Sequence, residues 1–556
     1  MTRRRVARFA LSLAVGGAVA WALVRDSVPA PAAPVLPRVE VDTASAPPEG
    51  RTIMVAAGGS LQTALGAAQP GDVIALEAGA TFPGPFTLPR KPGSGWITIR
   101  TAAPDRNLPP PGVRVDPSHA GVMPKLVASS GSVIRTEPGA HHYRFIGIEV
   151  HPRAGAFLRN LVQLGAGETS EDRLPHHILF ERCYLHGDPQ KGARRGIAMN
   201  SAHTAVLDSY LADFKEVGAD SQAISGWNGP GPFKLVNNYL EGAGENVMFG
   251  GGDPSVPNLV PSDIEIRRNL FRKPLAWKVG EAGFGGTAWT VKNLFELKNA
   301  RRVLVEGNLF EHNWVHAQNG FAILFTVRNQ DGGAPWSVVE DVTFVNNVVR
   351  HAAAGVNILG RDDNHPSQQT KRIRIANNLF EDVGGARWGG GGALVQLLDG
   401  AADVVIEHNT AFQTGNIVTA DGAAHRGFVY RDNIAPHNAF GLIGTGTGVG
   451  NPTLARYFPG GVVTKNVTIG GNAGSYPPGN FFPPSLADVG FVDHRRGDYR
   501  LAGSSRFRRA GADGRDIGLD VDELAAAMSE SGRRPSQRHA ETRPPWGRLS
   551  ARTAKP

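Results

Sequence analysis

From the middle of the chain to near its end, a short alternation of apolar and polar positions recurs, closing each time on Asn and two further apolar residues. Phe-Lys-Leu-Val-Asn-Asn-Tyr-Leu ends at Leu240, Ile-Glu-Ile-Arg-Arg-Asn-Leu-Phe at Phe271, Val-Leu-Val-Glu-Gly-Asn-Leu-Phe at Phe310, and Ile-Arg-Ile-Ala-Asn-Asn-Leu-Phe at Phe380. Weaker copies close on Val349, Phe412 and Ala435. The aligned residues are Asn238, Asn269, Asn308, Asn347, Asn378, Asn409 and Asn433, spaced by 31, 39, 39, 31, 31 and 24 residues. A repeat of that length predicts a solenoid. Period-two alternation with many β-branched residues, and no long helical stripe between copies, predicts that its coils are made of strands. Asn tolerates left-handed backbone, and its amide can bond the same amide one coil away, so a stacked Asn column predicts a sharp corner in every coil. The unequal spacing then places loops of different length between strands.

The start of this region has its own pattern. Ser60 is placed to cap a short amphipathic helix through Leu61-Gln62-Thr63-Ala64-Leu65, which Gln69-Pro70-Gly71-Asp72 ends. Val73-Ile74-Ala75-Leu76 and the segment through Phe82, Phe86 and Leu88 then begin the strands. The Leu-Gln-x-Ala-Leu and Pro-Gly-Asp-x-Ile phrases resemble the cap and first coil of the pectin-lyase-like right-handed parallel β-helices, in particular their exported bacterial members. Near the other end, Val489 to Asp493, Asp498 to Leu501 and Asp513 to Gly518 resemble the closing segment of that superfamily. The resemblance covers roughly residues 51 to 525 and implies an all-β, single-stranded, right-handed parallel β-helix with an amino-terminal capping helix. Fold likeness of this kind specifies architecture and leaves activity open.

Composition is consistent with one elongated unit. Seventy Gly and forty Pro make a turn-rich chain of 556 residues, while 41% hydrophobic content suffices for a long core. The net charge of +8 is concentrated at the termini: five Arg precede residue 26, and seven Arg or Lys face two Glu after residue 525, so the body between is slightly acidic, about −2. A nucleic-acid partner is therefore not expected, because phosphate binding needs clustered positive charge on the folded body. Residues 1–25 read either as a cleaved signal peptide or as an amino-terminal anchor, with an apolar run from Phe9 to Val24. Residues 26–50 read as a Pro/Ala-rich linker, and residues 526–556 as a basic disordered tail. These features imply an exported monomer, periplasmic, extracellular or at the cell surface. Cys183 is the single cysteine and sits where later coils carry Asn, so it is read as a small buried residue and not as a reactive thiol.

Parity along the strands that follow each coil's turn selects candidate chemistry. With Phe295 and Leu297 inward, Glu296 and Lys298 face out; with Phe325 and Val327 inward, Thr326 and Arg328 face out; Val356 and Ile358 leave Asn357 outside. Strands stacked about 4.8 Å apart would bring Lys298, Arg328 and either Asn357 or Arg361 into one column. Such a basic column, flanked by carboxylates, suits an acidic polysaccharide. β-Elimination of a uronic acid needs the sugar carboxylate neutralised, by calcium or arginine, and a base for the adjacent proton. The pattern assigns Lys298 as base, Arg328 as carboxylate clamp, and Glu245, Asp253 and Glu296 as calcium ligands. Asn357, Arg361, His365, Trp227 and Trp314 are substrate-binding candidates, aromatic faces being suited to sugar rings. Each has a plainer reading: Glu296 and Lys298 as a solvated charged face, Asp362 to His365 as a polar turn, Asp220 to Gln222 and Glu245-Asn246 as turn formers. A glycoside hydrolase using Asp362 and Asp363 and a non-catalytic carbohydrate-binding or structural solenoid are the competing functions. The long loop through Trp277 and Trp289 is expected to wall the groove.

Overall fold

A computed structural model describes residues 31–44 and 49–529. The proposed signal or anchor, and nearly all of the proposed basic tail, lie outside the described residues. The body is a right-handed parallel β-helix built from three sheets. Sheet A has 14 strands, from Thr52–Val55 to Val462–Thr464; sheet B has 13, from Thr81–Pro83 to Val467–Ile469; sheet C has 12, from Phe86–Leu88 to Leu442–Gly444. One coil runs through Asn293–Leu297 in sheet C, Ala300–Glu306 in sheet A and Leu309–Asn313 in sheet B, and each of these pairs in parallel with its counterpart in the next coil. Inward residues of all three sheets form one continuous apolar core, in which Phe271, Phe295, Phe310, Phe325 and Phe344 pack ring against ring.

The Asn column sits between sheets A and B. The backbone N–H of each of Asn238, Asn269, Asn308, Asn347, Asn378 and Asn409 donates to the side-chain Oδ1 of the next, at 2.9–3.0 Å, and the ladder continues through Asn433 to Asn466 and Asn480. Ser209 Oγ and Cys183 occupy the column's earlier rungs. Cys183 is buried there, and burial pushes its thiol up to about 12. The corner differs from expectation in one respect. The left-handed residue is not the column Asn but the one before it, such as Asn237 (φ 56°), Arg268 (54°) or Asn377 (53°), while the column Asn spends its amide on the neighbouring coils.

Ser60 Oγ accepts from the N–H of Thr63 and caps the helix Leu61–Ala67, whose Leu61, Ala64 and Leu65 close the first coil. At the far end Leu454 and Tyr457 of the helix Asn451–Tyr457 join the core. The closing segment folds back instead over the outer face of sheet B: Tyr499, Val521 and Leu524 pack on Leu309, Val348 and Leu379. The helix Val521–Met528 crosses the expected start of the tail. Residues 31–44, read from sequence as linker, lie along sheet A. Val35 N–H donates to Asp341 and Arg38 N–H to Asp263, and Val41 is buried against Leu179 and Ala205. No helix among the described residues is long and apolar enough to cross a membrane.

Candidate functional site

Sheet C carries the candidate residues on its outer face, where alternation sends every second side chain away from the core. One row in register is Arg195, Gln222, Glu245 and Asn293. A second is Ser225, Met248, Glu296, Leu324, Asn357 and Gln396. Two walls flank these rows. On the side leading to sheet A, three loops are tied together: Asp253 accepts from the N–H groups of Asp331 and Gly333, and Asp362 Oδ2 accepts from Asn329 N–H at 2.7 Å. On the side coming from sheet B, Trp277, Trp314 and Trp388 form a buried cluster with Ala243, Val291 and Ala353. The loop through Trp277 and Trp289 thus walls the face, and Lys215 Nζ lies over both of those rings.

Between the walls lies a connected polar group. Arg195 Nε donates to Gln222 Oε1 at 2.9 Å, and Gln222 Nε2 donates to Glu245 Oε2 at 2.7 Å. Lys292 Nζ lies 2.6 Å from Asp220 Oδ2 and 3.6 Å from Glu245 Oε1. Glu296 Oε2 accepts from Asn293 Nδ2 at 3.1 Å, and its Oε1 accepts from Thr326 Oγ1 at 3.2 Å, with Lys298 Nζ 3.9 Å away. Glu245, Asn293 and Glu296 are buried; Lys298, Arg195 and Trp227 are half-buried and reach solvent above them. Burial, with Asp220 and Glu296 nearby, holds the Glu245 carboxyl above the ordinary carboxylate range. Burial pulls Lys292 down, but Glu245 and Asp220 outweigh it and hold the ammonium above its usual value. Glu245 Oε1 and Asn293 Oδ1 are buried and accept no hydrogen bond. A wholly buried lysine supports the strand start from below: Lys273 Nζ donates to the carbonyls of Gly242, Ala243 and Gly244 and to Asn246 Oδ1.

The structure therefore brings Lys298, Glu245, Glu296 and Trp227 together and separates others. Glu296, not Lys298, shares a row with Asn357; Arg328 lies beyond Thr326, with its N–H on the Lys298 carbonyl. The Arg328 guanidinium is paired with both Asp362 and Asp363, so it is not a free carboxylate clamp, and those two aspartates are not a hydrolase pair facing the groove. Asp253 gives its carboxylate to the loop N–H groups, remote from Glu245, so it is no ligand with Glu245 and Glu296. Trp314 is buried in the tryptophan cluster and cannot stack on a sugar. His365 Nδ1 lies 3.1 Å from the Asn329 carbonyl, within the loop wall, where Arg361 is exposed. Sequence parity did not single out Arg195, Lys273, Lys292 or Asn293. The signal for Asn293 is present in its strand, since Asn293-x-x-Glu296-x-Lys298 puts three polar residues on a stretch that otherwise packs inward.

No family model and no curated protein matches this chain. Among solved structures it is similar to the catalytic unit of a thermostable GH87 α-1,3-glucanase from Streptomyces thermodiastaticus, at 12% identity over 80% of this chain and 72% of that one, with a TM-score of 0.47. It is also similar to the PL6-family alginate lyase AlyGC (13% identity, 86% and 59%, TM-score 0.46) and to pectate lyase Pel9A (12% identity, 84% and 96%, TM-score 0.34). The chain spans less than two thirds of the length of AlyGC.

Proposed function

We propose that this protein binds an acidic polysaccharide on the outer face of sheet C and cleaves it by β-elimination, with Lys298 as the proton acceptor. The reading is carried by one observation: Glu245 Oε1 and Asn293 Oδ1, in register on adjacent strands, are buried oxygens without hydrogen-bond partners beside the carboxylate of Glu296. An all-oxygen set of two carboxylates and an amide suits calcium. Glu245, Asn293 and Glu296 would hold it, and it would neutralise a uronate carboxylate and acidify the C–H beside it. Lys298 Nζ, half-buried above Glu296, accepts that proton; the C–H electron pair becomes the C=C bond, and the glycosidic oxygen leaves with its bonding pair and takes a proton from solvent. Trp227, with the Arg195 guanidinium 5.4 Å from its ring, offers a stacking surface on the same face, and Asn357 extends it along the solenoid.

A hydrolase is the second reading, favoured by the raised Glu245 carboxyl, which suits a general acid, with the Glu296 carboxyl beside it. Absorbance in the unsaturated-uronate band, followed for the full chain against a panel of acidic polysaccharides with calcium or chelator, separates the readings. A calcium-dependent rise that falls by about 10²–10⁴ in Lys298→Ala supports elimination. New reducing ends without the absorbance would establish hydrolysis, and binding with neither would leave a carbohydrate-binding solenoid.

A further inference from the structure

At the entrance to sheet A, on a different face from the polar group above, two His-His pairs lie one above the other: His141-His142 and His176-His177. In regular strand, consecutive side chains point to opposite faces. Left-handed backbone at His142 (φ 60°) and His177 (φ 54°) breaks the alternation and turns both rings of each pair to one side. The Nδ1 atoms of His141 and His142 are consequently 2.8 Å apart, and those of His176 and His177 2.7 Å apart. Coil stacking supplies the second dimension. His141 lies on His176 with ring centroids 4.8 Å apart, and His142 on His177 at 4.5 Å. His203 continues the stack at 4.4 Å, and Trp96 meets His142 and His177 edge-on.

Ligating nitrogens of His142, His176 and His177 all lie within 4.8 Å of one another, and the rings are half-buried, so the group is open to solvent. Burial first, then repulsion from neighbouring imidazoles and, for His176, from Arg90, pushes His142 and His176 down to about 4 and His177 to about 3. Within each neutral pair one Nδ1–H donates to the other Nδ1, so a metal ion would replace these two hydrogen bonds, and the Nε2 lone pair of each donor ring stays open. Two mixed clusters among the described residues are already satisfied internally: Lys125 Nζ lies 3.0 Å from Glu149 beside His151 and His186, and Asp432 beside His408 accepts from the Ala512 N–H.

We propose that this histidine cluster binds a late first-row divalent metal ion, zinc or copper, with His142, His176 and His177 as ligands and the fourth position open to solvent. Tetrahedral zinc with bonds of about 2.0–2.1 Å needs nitrogens roughly 3.3 Å apart. That value lies above the 2.7 Å between the Nδ1 atoms of His176 and His177 and below the 4.8 Å within which all three ligating nitrogens fall, so small ring rotations suffice. Imidazole donors without a carboxylate select zinc and copper over calcium, which distinguishes this site from the oxygen set on sheet C. An ion held there would clamp two successive coils through side chains, in addition to their backbone ladder.

The test is calorimetric titration of untagged, metal-stripped full chain with zinc chloride and with copper chloride, joined to electron paramagnetic resonance of the copper form. About one tight equivalent, with nitrogen hyperfine structure from several imidazoles, is expected. His142→Asn/His177→Asn keeps residues that tolerate left-handed backbone and should weaken binding at least about tenfold; so should His176→Gln, at a position of ordinary backbone. His151→Asn should bind as wild type. Affinity unchanged in both cluster variants, or no binding tighter than about micromolar in wild type, would overturn the assignment.

Discussion

Asn308 Oδ1 accepts two hydrogen bonds from Asn269, one from its backbone N–H at 2.9 Å and one from its side-chain amide at 3.0 Å. Asn308 Nδ2 in turn donates to the carbonyls of Ile266 and Glu306, so one buried side chain satisfies four groups at the A–B corner. Asn308→Ala would leave the Asn269 N–H buried and unpaired and take one partner from each of the other groups, of which the Glu306 carbonyl keeps the Arg268 N–H and the Asn269 amide keeps the Leu235 carbonyl, at about 1–3 kcal/mol for a group left unpaired. A loss of about 3–5 kcal/mol, read as a large drop in the denaturant midpoint, is the expected outcome. Asn308→Asp keeps the acceptor but not the donor and should lose less than Ala provided the carboxylate stays paired with the Asn269 amide.

Glu241 gives the fold a pH dependence. Burial raises its carboxyl to about 7, against the bond it accepts from Tyr239 and with Asp213 adding to the rise. The folded state therefore holds a proton that the unfolded chain releases at its ordinary carboxylate pKa of about 4.3. Stability from this group is complete below that value, declines as pH rises, and is fully lost above about 7, on the order of 3–4 kcal/mol in all. Glu241→Gln, whose oxygen can accept from the Asp213 N–H while its amide N–H donates to the Tyr239 hydroxyl as a protonated Glu241 would, should show a flatter melting temperature from pH 4.5 to 7.5 than wild type. Equal slopes would mean that Glu241 is not the titrating group.

Lys273 links the core to the candidate site. Its ammonium is fully buried and holds the carbonyls of residues 242 to 244, immediately before the strand that presents Glu245. Lys273→Met fills similar volume but removes the buried donor and leaves Asn246 Oδ1 unpaired, while the Ala243 and Gly244 carbonyls keep only the backbone N–H groups of Lys292 and Asn293. About 3–5 kcal/mol of stability should be lost. Because the strand start would shift, any activity or calcium response should fall further than in a surface variant such as Arg361→Ala, measured under conditions where both remain folded.

Much of this architecture could be read from residue order, because its causes are local and periodic. Alternation around Phe295, Phe325 and Ile358 gives the inward faces correctly, and the Asn phrase marks one corner per coil. The candidate site was only partly legible. Glu296 and Lys298 follow from parity, whereas Glu245 shares its parity with the inward Val247 and Phe249 and faces out only because the alternation breaks at the strand start; the register between coils depends on loops of unequal length, so Lys298, Arg328 and Asn357 do not fall into one column. Trp314 and Asp253 are drawn away by loop packing, which no single-strand pattern encodes. The same limit hid Lys273, whose ligands are carbonyls three residues in a row on another coil.

The segment from Val35 to Ala44 crosses the strands of sheet A in extended form. Val35 N–H meets Asp341, Arg38 N–H meets Asp263, Val41 enters an apolar pocket, and the Ala44 carbonyl accepts from Arg144. Asp263 and Asp341 lie two strands apart, about 9.6 Å, and three extended residues span about 10 Å, so the strap and the coil repeat match in length. Both aspartates are also gripped by arginines: Nε of Arg302 and Arg372 shares the Oδ1 that the strap uses, and Nη2 of each holds Oδ2. The strap should therefore act as a longitudinal brace on a solenoid whose coils otherwise contact only their neighbours. Val41→Ser removes the apolar anchor and adds a hydroxyl to the pocket, at an expected cost of about 1–3 kcal/mol. Hydrogen exchange should show faster exchange in sheet A strands His176–Glu181 and Ala202–Leu207 beneath it, while sheet B at the same coils stays protected. Unchanged exchange in those strands would mean that the segment rests on the sheet without bracing it.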